Sequence, residues 1–110
     1  MNIGPMNSGP MDSTRDYLAS LFDLSGKTAL VTGGGSGIGL MMTRALVSAG
    51  AQVLIASRKL DACRQAVDTL GGLPGSCVAL QADLQNEEGV NHLAASVAEH
   101  CEKPHILVNN

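Results

Sequence analysis

Thr32-Gly33-Gly34-Gly35-Ser36-Gly37-Ile38-Gly39 packs five of the chain's thirteen glycines into seven positions, and what flanks this stretch decides the fold. Just before it, Thr28-Ala29-Leu30-Val31-Thr32 is a short apolar run of the kind that forms a buried strand. Just after it, Ile38, Met41, Met42, Ala45, Leu46 and Ala49 recur at helical spacing, with Gly50 placed to cap the C-terminus. They predict a helix that turns this stripe toward a sheet. Glycines at such a strand-to-helix junction let the backbone approach a phosphate, whose charge the free N–H groups and dipole of the helix N-terminus favour. A flexible loop without a ligand is the alternative.

The same alternation continues along the chain. Val53-Leu54-Ile55-Ala56 reads as a second strand, and Leu60, Cys63, Val67 and Leu70 mark a second helix stopped by Gly71-Gly72. Cys77-Val78-Ala79-Leu80 reads as a third strand. Asn86 is placed to cap a third helix, with Glu87 and Glu88 in its first turn and a stripe of Val90, Leu93, Ala94, Val97, Ala98 and Cys101. Pro104 precedes a fourth strand, Ile106-Leu107-Val108. Strands without polar alternation, separated by helices, indicate a parallel α/β sheet covered on both faces. Right-handed crossovers then give the strand order 3-2-1-4 of a Rossmann-type sheet, ending at strand four.

Ahead of this unit, Asn-Ile-Gly-Pro-Met at 2–6 and Asn-Ser-Gly-Pro-Met at 7–11 form an imperfect repeat of turn-forming residues. Residues 1–12 are expected to be a disordered lead. Ser13 and Asp16 have capping-box spacing before Tyr17, Leu18, Leu21 and Phe22, so residues 13–22 are expected to form a short helical extension. Residues 23–110 constitute the α/β unit.

Composition narrows what the unit can do. Tyr17 and Phe22 are the only aromatic residues among 110, so the core is aliphatic and no aromatic platform exists for stacking nucleic-acid bases. Net charge is −3, and Asp83 to Glu102 holds five acids and no Lys or Arg, which argues against nucleic acid or an anionic membrane as partner. Cys63, Cys77 and Cys101 lack C-x-x-C spacing, so neither a disulfide framework nor a thiolate zinc site is indicated, and a reducing cytoplasmic setting is expected. Cys63 and Cys101 fall on helical apolar stripes as small core residues. His92 and His100 are eight positions apart, not the four of a helical metal pair, and with His105 they are expected to be solvated.

Spacing within the glycine stretch is informative. A G-x-G-x-x-G reading fails for want of a third glycine at position 38, 40 or 42, whereas Gly33, Gly37 and Gly39 satisfy G-x-x-x-G-x-G. A G-x-x-x-x-G-K-[ST] phosphate loop is excluded, because no lysine lies between Lys27 and Lys59. The sequence resembles the short-chain dehydrogenases/reductases, through Thr32 to Gly39 read as T-G-x-x-x-G-I-G. Leu24-Ser25-Gly26-Lys27, Asp83-Leu84 and Leu107-Val108-Asn109-Asn110, the last opening an N-N-A-G motif, stand at the matching places. The resemblance covers about residues 22–110, making residues 23–110 the N-terminal half of an NAD(P)-binding domain. The nearest flavour is similar to the 3-oxoacyl-carrier-protein reductases, including the rhamnolipid-pathway type.

That resemblance implies a dinucleotide site formed by Gly33, Gly35, Ser36, Gly37, Ile38 and Gly39 at the pyrophosphate, Ser57 and Arg58 at the adenosine ribose, Asp83 and Leu84 at adenine, and Asn110 near the ribose. Turn or capping roles for Asp83, and structural roles for Asn109 and Asn110, are the alternatives. An acid at the end of strand two would hold a free 2′-hydroxyl and repel a 2′-phosphate. The chain has Ala56-Ser57-Arg58-Lys59 instead, and a guanidinium can grip a phosphate in fork geometry, so NADP(H) is favoured over NAD(H). Ser36, where many NADP-preferring relatives carry a base, adds no charge, and Arg58 and Lys59 also read as a solvated helix start balanced by Asp61.

In the resembled family, catalysis needs a tyrosine whose pKa of about 10 is lowered by a lysine four positions later, together with a polarising serine. No Tyr-x-x-x-Lys occurs, and Leu21 stands four positions after Tyr17. The expectation is a cofactor-binding portion of an oxidoreductase acting on a small carbonyl or alcohol, homo-oligomeric in its full-length form. A non-catalytic dinucleotide-binding or interaction module is the alternative, and a methyltransferase of similar topology is a third reading.

Overall fold

The structure, a computed structural model, describes Thr14, Tyr17, Leu18 and residues 20–110. The lead at residues 1–12 and the capping pair Ser13 and Asp16 lie outside the described residues. Of the expected extension, Thr14, Tyr17, Leu18, Ser20 and Leu21 are helical, and Tyr17 and Phe22 are exposed.

From Thr28 onward strand and helix alternate: β1 (Thr28–Thr32), α1 (Gly37–Ser48), β2 (Gln52–Ser57), α2 (Leu60–Thr69), β3 (Ser76–Gln81), α3 (Glu87–Ala98) and β4 (Ile106–Asn109). The four strands form one sheet in the order β3-β2-β1-β4, and every neighbouring pair is parallel. Leu30 sits opposite Leu54 on one side and Leu107 on the other, so the apolar midpoints of the strands line up across the sheet.

Strand parity divides the core into two layers. Ala29, Val31, Val53 and Ile55 point to the face covered by α1 and α2, where they pack with Val47, Cys63, Ala66 and Leu70. Leu30, Leu54 and Ala56 point to the other face, where α3 supplies Leu93 and Val97. As the composition requires, the largest fully buried side chains of this core, Leu54, Ile55, Val31, Val47 and Val53, are aliphatic.

Three expectations need correction. The face α1 turns inward is Gly39, Thr43 and Val47, while Ile38 and Met41 are 64% and 71% exposed and Met42 is also exposed. The reason is steric: α1 starts so close to the end of β1 that a Cβ on Gly39 would collide with the carbonyl oxygen of Gly33. Only small residues fit at that contact, and they set the helix phase ahead of the larger apolar stripe. Secondly, β3 is only half-buried across Cys77 to Leu80, and β4 alternates half-buried with exposed, because both are sheet edges. Thirdly, Val90, Ala94 and Ala98 of the α3 stripe are exposed, and only Leu93 and Val97 are buried.

The loops obey local chemistry. Asn86 caps α3, its Oδ1 accepting from the Gly89 N–H at 2.8 Å. Gly50 follows α1 at φ 101, a backbone conformation that L side chains rarely adopt.

Candidate functional site

The ends of the strands collect the site. Gly33 follows β1, Arg58 follows β2, Asp83 follows β3, and Asn110 follows β4, all at the carboxyl edge of one parallel sheet. β1 feeds β2 on one side through α1, while β4 flanks it on the other, so the strand order reverses beside the glycine loop. Ligands of open α/β sheets bind at such a switch point.

Gly33 has φ +67 and Gly37 φ +54, which let the loop turn sharply out of β1 and into α1. Gly34 is pressed against the sheet: a Cβ there would lie 2.5 Å from Ile55 Cγ2 and 2.9 Å from Thr43 Oγ1. Gly35 rests on the second helix, where a Cβ would stand 3.2 Å from Cys63 Sγ. At Gly37 the corresponding space is open. The loop is therefore packed from beneath and free above.

Helix N-termini differ in how they treat their unpaired N–H groups. Asn86 satisfies one at α3, which also carries Glu87 and Glu88 in its first turn, and α2 carries Asp61. At α1 the Ser36 side chain makes no capping bond and no acid stands in the first turn. The amides of Gly37, Ile38 and Gly39, which have no intrahelical acceptor, make no hydrogen bond to any other described residue. Of the three, α1 is the N-terminus suited to an anion, and its donor set fits the pyrophosphate of a dinucleotide.

Two side chains outside the sequence-derived site hold this loop. Thr43, fully buried, donates its hydroxyl toward Gly39 O at 2.9 Å and Gly34 O at 3.3 Å. Its signal was a polar residue on the small face of α1, hidden by the larger apolar stripe. Cys63 is the second: buried as expected, it forms the loop's floor, and burial pushes its thiol pKa up.

Asn110 reaches back to the glycine loop, its Nδ2 donating to Gly33 O at 3.3 Å while its backbone N–H donates to Thr32 Oγ1 at 3.1 Å. Asn109 Oδ1 accepts from Thr32 Oγ1 at 3.3 Å, tying β4 to β1. These bonds give both asparagines structural contacts with the end of β1 and the start of the loop.

Arg58 and Asp83 are brought together across a hollow of about 450 Å³, bordered also by Asn86, Glu88 and His92. Arg58 borders a second hollow of about 670 Å³ with Lys59, Asp61 and Gln65. The Ser57 hydroxyl accepts from the Lys59 N–H at 3.2 Å. Asp83 Oδ1 accepts from the Gln85 N–H at 3.0 Å, a local turn contact, and the exposed Leu84 follows it. Gln81, another residue the sequence reading missed, lines both hollows. Of the histidines, His92 is exposed beside the first hollow, while His105 Nδ1 accepts from the Thr28 N–H at 3.1 Å. Among the described residues no cluster of His, Cys, Asp or Glu could hold a metal ion, and no helix is long and apolar enough to cross a membrane.

A parallel sheet with this strand order and a glycine loop at its switch point is a Rossmann-type α/β unit. The chain belongs to the short chain dehydrogenase family, whose model matches residues 27–110. It is 44% identical over 89 residues to the rhamnolipids biosynthesis 3-oxoacyl-[acyl-carrier-protein] reductase of Pseudomonas aeruginosa, covering 81% of this chain and 34% of that one. Among solved structures, a Pseudomonas aeruginosa RhlG/NADP active-site complex superposes with a TM-score of 0.76 at 44% identity, over 81% of this chain and 36% of that one. L-sorbose reductase from Gluconobacter frateurii, complexed with NADPH and L-sorbose, superposes with a TM-score of 0.75 at 31% identity, over 81% of this chain and 34% of that one. The chain thus spans about a third of the length of these relatives.

Proposed function

We propose that residues 23–110 are the cofactor-binding half of a nicotinamide-dinucleotide domain, and that the activity they serve is an NADP(H)-dependent reduction of a carbonyl or oxidation of an alcohol. The observation that carries this reading is the uncapped, acid-free N-terminus of α1 behind a glycine loop packed from below and open above. The cofactor supplies the hydride chemistry. This chain's part is to bind and orient it: Gly33, Gly35, Ser36, Gly37, Ile38 and Gly39 at the pyrophosphate, Ser57 and Arg58 at the ribose, Asp83 and Leu84 at adenine, with Asn110 holding the loop.

Choice of NADP(H) over NAD(H) rests on charge at the end of β2. No acid stands there to take a 2′-hydroxyl, and no carboxylate pairs with Arg58 among the described residues. Its guanidinium is therefore available to a 2′-phosphate. The NADP and NADPH complexes of two similar proteins agree with this choice. Likeness to a 3-oxoacyl-[acyl-carrier-protein] reductase supports a 3-oxoacyl thioester as substrate class.

Titration with NADPH and NADH is the direct test. Arg58→Ala should weaken NADPH binding by about 10- to 100-fold and leave NADH nearly unchanged, because only a charge-assisted bond to the 2′-phosphate is lost. Equal losses for both would sink the 2′-phosphate role. On this reading the Tyr-x-x-x-Lys of the resembled family, which does not occur in these 110 residues, belongs to a longer protein. An open reading frame past codon 110 that encodes Ala-Gly and later Tyr-x-x-x-Lys supports the oxidoreductase; an immediate stop favours a non-catalytic dinucleotide-binding module.

A further inference from the structure

β2 and β3 pair in register as far as Ser57 opposite Gln81, where the ladder ends. Arg58 lies one residue beyond, so no strand partner is left for its carbonyl oxygen. Gln81 makes up the deficit with its side chain: Nε2 donates to Arg58 O at 3.3 Å, across 23 residues of sequence. A carbonyl oxygen can only accept, which fixes the orientation of the amide with nitrogen toward Arg58. Two further bonds complete the turn, the Ala82 N–H to Ser57 O at 3.0 Å and the Lys59 N–H to Ser57 Oγ at 3.2 Å.

The Arg58 backbone is thus held from β3, and Gln81 supplies the side-chain part of the hold. Its position suits that task, since it lines both hollows that flank Arg58. Arg58 itself is exposed, and its guanidinium makes no hydrogen bond or ion pair with another described residue. Where a long, mobile guanidinium must meet a phosphate, fixing its point of attachment lowers the entropy lost on binding.

We propose that Gln81 is a positioning residue for dinucleotide selection, acting through Arg58 to place its guanidinium at the 2′ position of the adenosine ribose. The inference rests on the NADP(H) reading given above and deepens it. Because Gln81 acts through Arg58 alone, its influence is confined to ligands that carry a 2′-phosphate. The bond is long and exposed, so the effect is modest.

The test is a double-mutant cycle on the 110-residue chain with NADPH and NADH as probes. Gln81→Met keeps the length of the side chain and removes the donor. NADPH affinity is expected to fall about 3- to 10-fold, the worth of one ordinary hydrogen bond, while NADH affinity stays within about twofold. In an Arg58→Ala background, Gln81→Met should change neither. Equal weakening of both dinucleotides, no change in either, or a full additive loss in the Arg58→Ala background overturns the role of Gln81. If Arg58→Ala fails to separate NADPH from NADH, the NADP(H) reading falls first and takes this inference with it. If Arg58→Ala separates them and Gln81→Met is silent, only the inference falls. Unfolding midpoints without ligand, measured on all four proteins, show whether any loss comes from the fold.

Discussion

The two faces of the sheet are built to different standards. Under α1 and α2, Ala29, Val31, Val47, Val53, Ile55 and Cys63 have no solvent exposure at all, and the glycine loop is seated directly on Ile55, Thr43 and Cys63. Under α3, Leu54 is equally buried, but Val90 remains 48% and Leu107 64% exposed, beside an apolar groove walled by Leu30, Leu93, Val97 and Pro104. The face that shapes the glycine loop is closed by residues of this chain, whereas the other is only partly covered. Stability and site geometry are therefore coupled on one face and largely separate on the other.

Matched truncations should expose this asymmetry most strongly. Ile55→Ala removes a fully buried side chain that also supports Gly34, and is expected to cost about 2–5 kcal/mol in urea unfolding. Val90→Ala, on the exposed stripe of α3, should cost less than ~1 kcal/mol. Comparable losses would mean that α3 covers its face as well as α1 and α2 cover theirs.

Next in size is the close approach at the loop. Gly39→Ala puts a methyl group into the Gly33 carbonyl and 2.7 Å from Asn110 Nδ2, neither the free end of a long flexible side chain. Overpacking of this kind costs about 1–3 kcal/mol. It should also displace the donors at the N-terminus of α1, so dinucleotide affinity is expected to drop by more than the change in stability implies. Calorimetric titration alongside urea unfolding separates the two. An unchanged affinity would show that the loop does not depend on this contact.

How far each region was legible in the sequence follows the same division. Element order, strand order and the Asn86 cap could be read because they rest on local patterns: short apolar runs, glycine stops, an asparagine before two glutamates. The inward face of α1 could not, since Ile38, Met41 and Met42 carry the hydrophobic signal whereas Gly39 and Thr43 make the contact. Hydropathy ranks residues by transfer from water, and a helix pressed against a loop selects them by size. Gln81 was illegible for a different reason. Its hydrogen bond joins two strand ends 23 residues apart, and only the register of β2 against β3 brings them together.

On the open face, the expected effects are on association. β4 is an edge strand with Leu107 exposed beside the α3 groove, a surface on which another chain can pair. The 110-residue chain taken alone should self-associate at micromolar concentration, and Leu107→Lys should shift it toward monomer while changing unfolding by less than ~1 kcal/mol. Sedimentation velocity reads the first and urea the second. A wild-type chain that is monomeric throughout would show that the open face needs no cover.

The smallest effect is a pH dependence that belongs to the edge of the closed face. Burial, with a lesser contribution from the nearby Cys63, pushes the Cys77 thiol from its ordinary 9.0 up to about 11. Folding therefore favours the protonated thiol. Below the unfolded value near 9.0 both states keep the proton, and the contribution is fully present. As pH rises toward about 11, the unfolded chain ionises first and stability falls. Since β3 is an edge and Cys77 is only half-buried, solvent screening keeps the effect small. Cys63, whose thiol is raised in the same direction, adds to the slope. Urea midpoints measured across this window should decline for the wild type and decline less for Cys77→Ser. Parallel declines would assign the loss to groups other than Cys77, and would place the edge of the closed face nearer in character to the open one.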